Sequence, residues 1–227
     1  MSPRGGLFER LKGRVRNYAP RGFSDARSCG AFYDARAMMF RKDPHTQLEY
    51  TTPDVQTKLF ERVISALPPR GRVLDFGCGL GHLLDFLDER HLSPAAYHGI
   101  DVSQAMIRQC EERIGSRHGV SVEWRDITGS PLTEGSYDVG YAISVLGYPI
   151  GKDPLAWMMG VLENLLSACS EGIALTHLAA GRKPGLVFTT DPEELAARCE
   201  RTFDVTAGIE DNGSFTYVLS LRHPGAS

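Results

Sequence analysis

Asp75 closes the apolar run Arg72-Val-Leu-Asp-Phe76 and is followed by a glycine loop, Gly77-Cys-Gly79-Leu-Gly81-His82, that opens onto an amphipathic stretch over 80–90. Gly77 and Gly79 let the backbone turn tightly and come close to a ligand. A loop of this kind at a helix N-terminus ordinarily suits a pyrophosphate, because backbone N–H groups and the helix dipole favour anions. Two details argue otherwise. The dinucleotide pattern Gly-x-Gly-x-x-Gly is broken, since Gly81 comes one residue early. Asp75 also repels a phosphate and attracts an ammonium. A second acidic residue ends Tyr97-His-Gly-Ile-Asp101, where a carboxylate can accept from both hydroxyls of a ribose. A third, Asp126, follows Trp124-Arg125. Carboxylates at the C-terminal ends of successive strands face the crevice where open parallel sheets bind ligands. A nucleoside with a cationic amino-acid tail satisfies them better than a dinucleotide.

The elements that must position these residues alternate in type. Strand-like and helix-like segments follow one another as strand 72–76, helix 80–90, strand 96–100, helix 103–114, strands 120–124 and 137–144, helix 153–168 and strand 171–178. This alternation predicts a parallel sheet with helices on both faces. The end of the chain differs, with a helix over 191–200 and strands over 202–208 and 214–221 joined through Asp211-Asn212-Gly213, a hairpin signal. Upstream, Phe32, Met38, Met39, Val55, Leu59, Phe60, Val63, Ile64 and Leu67 return at helical spacing, cut by Pro44 and Pro53 and ended by Pro68 and Pro69. The expected organisation is a flexible basic arm over 1–30 with a short helix at 6–16, a helical cap over 31–70, and the α/β domain over 71–222.

Composition narrows the classes further. With 227 residues, 42% apolar and 23% charged, the chain is an ordinary globular sequence. Its net charge of −3 is uneven: residues 1–21 carry +5, which leaves −8 for the remainder. An acidic body disfavours nucleic acid as the main partner. The five cysteines, at 29, 78, 110, 169 and 199, form no CxxC pair, so neither a disulfide framework nor a zinc site is suggested. No apolar run reaches the ~18 residues of a membrane span. The expectation is a cytoplasmic protein with no membrane partner.

The runs VLDFGCGLGHLLDFL, HGIDVSQAMI, WRDI and SYDVGYAISVLG resemble, in order, spacing and residue type, the class I S-adenosylmethionine-dependent methyltransferases. The likeness is strong over 72–178 and extends, through the hairpin with Phe215-Thr-Tyr-Val-Leu, to most of 55–222. It implies a doubly wound, Rossmann-like sheet of seven strands, mostly parallel with a C-terminal antiparallel hairpin. It also implies S-adenosyl-L-methionine as cofactor. Asp75, Gly77 and Gly79 would line its amino-acid end and Asp101 its ribose. Val102 and Met106 would meet the adenine face, Asp126 and Ile127 its edge, and Ser144 after the fourth strand joins the cofactor-binding set. Each position has a plainer reading beside this one: glycines can serve packing, Asp101 with Ser103 can cap a helix, and Met106 can belong to the core.

The methyl acceptor is less legible. The Asn/Asp-Pro-Pro-aromatic run seen in methyltransferases of nucleobase or glutamine amides is absent after the fourth strand, where the chain reads Ile143-Ser-Val-Leu-Gly-Tyr-Pro-Ile-Gly151. No ligand cluster suggests a metal. A small-molecule acceptor methylated on oxygen or nitrogen, in secondary metabolism, is the first reading, with the protein a monomer or homodimer. The alternative is a cofactor-binding, non-catalytic partner subunit. The third class, a nucleotide-dependent oxidoreductase, is opposed by the glycine spacing. His177, near the end of the fifth strand, is the expected catalytic base or else a core histidine, and Tyr148 is a second catalytic candidate. Tyr33, His45 and Asp153 lie on segments that could cover the pocket, the stretch Tyr33 to Tyr50 is expected to fold down onto it, and Arg182 and Lys183 suit an anionic acceptor.

Overall fold

The computed structural model describes residues 21–50, 52–181 and 187–226. Most of the expected basic arm, with its helix at 6–16, and the pair Arg182 and Lys183 lie outside these residues. Strands β1 (Arg72–Phe76), β2 (Ala96–Asp101), β3 (Val120–Trp124), β4 (Tyr137–Ala142), β5 (Cys169–Leu178), β6 (Thr206–Glu210) and β7 (Thr216–Arg222) form a seven-stranded sheet in the order β3-β2-β1-β4-β5-β7-β6. The first five are parallel, while β7 runs antiparallel to both β5 and β6. The order reverses at β1 and β4, so the C-terminal end of β1 is the crevice at which a doubly wound sheet receives its ligand.

Helices cover both faces. On one face α3 (Pro53–Ala66), α4 (His82–Glu89) and α5 (Gln104–Ile114) bury Leu59, Val63, Leu83, Leu87 and Ile114 against Val73, Tyr97, Val139 and Ala174. On the other, α6 (Pro154–Ala168) and α7 (Pro192–Phe203) bury Leu162, Leu165 and Leu195 against Leu74, Ile100, Ile173, Leu175 and Leu219. The period-2 alternation of strand side chains puts Ala174 and Thr176 on the first face and Leu175 and His177 on the second.

Two further helices precede α3: α1 (Ala26–Met39) and α2 (Pro44–Gln47). The first starts at Ala26, five residues before Ala31, because Asp25 and Ser28 make a reciprocal capping box. Pro44 and Pro53 stand at the first turns of α2 and α3, where a missing N–H costs nothing, so they open helices as well as interrupting the apolar pattern. Helix α1 is seated on α5: Asp34 accepts from the Ser103 hydroxyl at 2.7 Å and from Ala105 N–H at 2.8 Å, and Gly30 lies so close to the Val102 carbonyl that a Cβ there would stand 2.3 Å from its oxygen.

Two boundaries differ from expectation. The strand expected at 202–208 begins at Thr206, because α7 continues to Phe203 and is stopped by Asp204 in the left-handed conformation. The strand expected to reach residue 144 ends at Ala142, since Ser144 has φ 61 and leaves the sheet. Among the described residues no helix is long and apolar enough to cross a membrane, and no group of three or more His, Cys, Asp or Glu is placed to hold a metal ion.

Candidate active site

At the end of β1, Asp75 is 4% exposed, and the Tyr97 hydroxyl donates to its Oδ2 at 2.5 Å. Burial pushes its carboxyl up to about 7; the Tyr97 bond opposes this and the charge of Asp101 adds to it. The glycine loop is then pinned to β2: Gly77 and Cys78 both donate to the Ile100 carbonyl, at 2.8 and 3.1 Å. Gly77 has φ 74, and a Cβ on it would lie 2.4 Å from a Val145 methyl. Gly81, the glycine that breaks the dinucleotide pattern, caps α4 with φ 74 and packs on Cys110 and Ile114, where a side chain has no room.

Asp101 joins loop to strand. Its Oδ2 accepts from Gly79 N–H at 3.0 Å and its Oδ1 from Ser103 N–H at 2.8 Å. The helix cap itself is Ser103, whose hydroxyl oxygen accepts from Met106 N–H. Burial pushes Asp101 up to about 6, against those two hydrogen bonds. Two carboxylates therefore stand in a common, low-dielectric wall.

That wall belongs to a cleft that encloses, with the solvent open to it, about 830 Å³. Asp75, Gly77, Gly79, Asp101, Val102, Met106 and Ser144 all line it. Asp126 and Ile127 instead line a smaller neighbouring cavity of about 370 Å³ with Ala26, Ile150 and Trp157. The two cavities share Cys29, Phe76, Val102 and Val145 as walls. Asp126 is engaged in its own turn, accepting from Thr128 N–H and from the Thr128 hydroxyl. Tyr33, Leu48 and Tyr50, from the segment upstream of α3, also line the main cleft.

The catalytic candidates fare differently. His177 does not line either cavity: it is 2% exposed on the sheet face of Leu175, between Phe188 and Tyr217, at ring distances of 5.3 and 5.9 Å. Neither ring nitrogen meets a hydrogen-bond partner among the described residues, and burial pushes the imidazole down to about 4. Strand alternation puts the neighbouring Thr176 on the other face of the sheet, where its hydroxyl oxygen accepts from Ser144 N–H at 2.8 Å. Tyr148 is also outside the lining: its hydroxyl donates to Glu49 at 3.0 Å, its ring meets Phe23 edge-on, and burial with the Glu49 charge pushes the phenol well above its ordinary range. Asp153 caps α6 by accepting from Ala156 N–H. His45 stacks at 5.8 Å against His82.

His82 and Gln56 line the cleft without having been singled out in the sequence, and Tyr50 lines it as the last residue of the stretch expected to fold down onto the pocket. Gln56 carried a readable signal, because it falls on the apolar stripe of Leu59, Phe60 and Val63, where a polar side chain needs a partner.

Comparison with known proteins agrees with this architecture. A family model described as a methyltransferase domain matches residues 74–172. The Mycobacterium tuberculosis protein Rv1506c, named as a methyltransferase, is 25% identical over 169 residues, which cover 71% of this chain and 98% of that protein. Among solved structures, the [4+2]-cyclase SpnF aligns with a TM-score of 0.67 at 16% identity, covering 89% of this chain and 97% of its own. DhpI, solved as its SAH complex, aligns with 0.62 at 15%, covering 91% and 100%. A SAM-dependent methyltransferase from Aquifex aeolicus aligns with 0.54 at 18%, covering 75% and 93%. The seven-stranded order and the glycine loop after β1 agree with the methyltransferase domain that the family model matches over residues 74–172, and the chain is similar in fold to the class I S-adenosylmethionine-dependent methyltransferases.

Proposed function

We propose that the cleft binds S-adenosylmethionine and that the protein transfers its methyl group to a small-molecule metabolite, on oxygen or nitrogen. The observation that carries this reading is the pair Asp75 and Asp101, one buried and one half-buried carboxylate in the wall of a cleft with no Lys or Arg among its described lining residues, pushed up to about 7 and about 6. A cationic amino-acid tail supplies the missing charge. Asp75 with the Gly77 and Gly79 backbone holds that tail, Asp101 accepts from the ribose hydroxyls, and Val102 and Met106 cover the adenine, whose edge reaches toward Asp126 and Ile127. Ser144 stands at the reacting end, held by Thr176. The helices over 26–47 act as a cap on the bound cofactor.

When bound, the cofactor supplies an electrophilic methyl on a sulfonium, so the protein must mainly align an acceptor and manage one proton. Calorimetry with S-adenosylmethionine, S-adenosylhomocysteine and NADH tests the site; binding of NADH alone overturns the reading. The likeness to a cyclase means that fold does not by itself fix the reaction. Incubation with labelled S-adenosylmethionine and a panel of metabolite acceptors is therefore the second test. Tight cofactor binding with no methylated product favours the non-catalytic partner subunit instead.

A further inference from the structure

The reading above leaves one polar relay in the cleft without a task. Gln56, 7% exposed, sits on the buried stripe of α3, and its Oε1 lies 3.1 Å from Nδ1 of His82. The amide oxygen of Gln56 faces His82, and an amide oxygen only accepts. Nδ1 of His82 therefore carries the hydrogen, and Nε2 keeps its lone pair. Burial first, then the Arg113 guanidinium, and after these the His45 ring, keep the imidazole uncharged and push it down to about 4, while Asp85 opposes them. The first-turn position on α4 acts in the same sense, since the positive end of a helix disfavours a cation.

We propose that Nε2 of His82 accepts the proton released by the methyl acceptor, and that this acceptor is an uncharged molecule carrying a phenolic or enolic hydroxyl on an apolar body. The proposal rests on the reading of the cleft as an S-adenosylmethionine site. The acceptor oxygen forms its bond to the methyl carbon, the electron pair of the carbon–sulfur bond stays on sulfur as a neutral thioether, and the hydroxyl proton passes to Nε2 and then to water. The class of acceptor follows from the wall. Leu48, Phe60, Leu83 and Ile143 offer apolar surface, whereas no Lys or Arg among the described lining residues offers a counter-charge to a carboxylate or phosphate. A phenolic or enolic hydroxyl is more acidic than that of an aliphatic alcohol, so its proton is the better matched to a weak base, and it leaves as the oxygen–methyl bond forms.

The test uses the full chain labelled with 15N-histidine, titrated with S-adenosylhomocysteine by calorimetry and with 2-naphthol, an uncharged phenolic probe, by fluorescence. At pH 7 the nitrogen spectrum of the free protein should show His82 protonated on Nδ1 and bare on Nε2. Gln56→Leu should shift that balance toward hydrogen on Nε2. His82→Phe should weaken 2-naphthol roughly fivefold, the loss of a hydrogen bond of ordinary strength, while leaving S-adenosylhomocysteine within about twofold. Hydrogen on Nε2 in the unaltered protein overturns the inference, as does naphthol binding that is absent or indifferent to His82→Phe. Absence of S-adenosylhomocysteine binding overturns the cofactor reading beneath it, so the two failures are distinguishable.

Discussion

His82 and His177 are alike in one respect, for burial pushes both imidazoles down to about 4. They differ in everything that would turn a neutral ring into a working one. His82 stands on the sheet face of α3 to α5, with one nitrogen engaged by Gln56 and the ring in the wall of the cleft. His177 stands on the opposite face, edge-on to Phe188 and Tyr217, with both nitrogens unmatched among the described residues and outside the lining of both described cavities. A depressed pKa therefore reports desolvation; a fixed tautomer and an open approach distinguish a proton acceptor from a core residue.

The sharpest way to break that contrast is to replace each ring. Loss of a positioned base lowers turnover by ~10²–10⁴, and His82→Phe should do so with a phenolic acceptor while cofactor affinity stays within about twofold. His177→Leu should leave turnover within about twofold. Turnover measured as S-adenosylhomocysteine release decides it; comparable losses in both variants would erase the difference between the faces.

The cofactor end of the cleft gives the next largest effect. Asp101→Ala removes an acceptor for the ribose and releases the Gly79 and Ser103 N–H groups. Hydrogen bonds to a charged group are worth ~1.5–3 kcal/mol each, so the dissociation constant for S-adenosylmethionine should rise at least tenfold. Asp101→Asn keeps one acceptor oxygen and should cost less. A dissociation constant unchanged in a folded Asp101→Ala variant would remove Asp101 from the site.

The contrast also explains what the sequence could reveal. Alternating segments, the glycine loop and the acidic strand ends are local patterns, and they led to a parallel sheet with an antiparallel end and to Asp75, Gly77, Gly79 and Asp101, which line the cleft. The side on which a strand residue points depends on register, and a one-residue difference exchanges the faces. His177 could thus be placed on β5 from local pattern while its face is set by register, with Thr176 taking the side toward Ser144. Gln56 and His82 meet only through the docking of α3 beside the glycine loop, a tertiary fact with no local signature beyond one polar residue on an apolar stripe.

A third experiment turns from rings to carboxylates. The folded-state pKa of Asp75, about 7, lies above its unfolded value of 3.8. Between these limits the native state binds more protons than the unfolded chain, so its contribution to stability is present at low pH and lost as pH rises toward 7. Asp75→Asn should therefore raise the Tm of the ligand-free protein at pH 8, with little change at pH 4.5, and should weaken S-adenosylmethionine through loss of the partner charge. A Tm difference that does not vary with pH would deny the carboxyl its shifted titration.

The smallest effect belongs to the silent histidine, and its sign is opposite. A buried polar atom without a partner costs about 1–3 kcal/mol, and His177 has two such nitrogens among aromatic neighbours. His177→Leu removes both at similar volume and should stabilise the fold by about 1 kcal/mol, a Tm gain of ~2–4 °C for a chain of this size. The folded-state pKa of His177, about 4, lies below the unfolded value of 6.5, so the unfolded chain binds more protons in that interval. The native histidine thus loses stability as pH falls from 6.5 toward 4, and a leucine does not. Thermal melts of the two proteins at pH 7.5 and pH 5 should show the leucine variant ahead at both, and further ahead at pH 5. A leucine variant that melts lower at both values would mean that the imidazole nitrogens are satisfied in solution, and His177 would then have to be counted among the groups that hold β5 to β7.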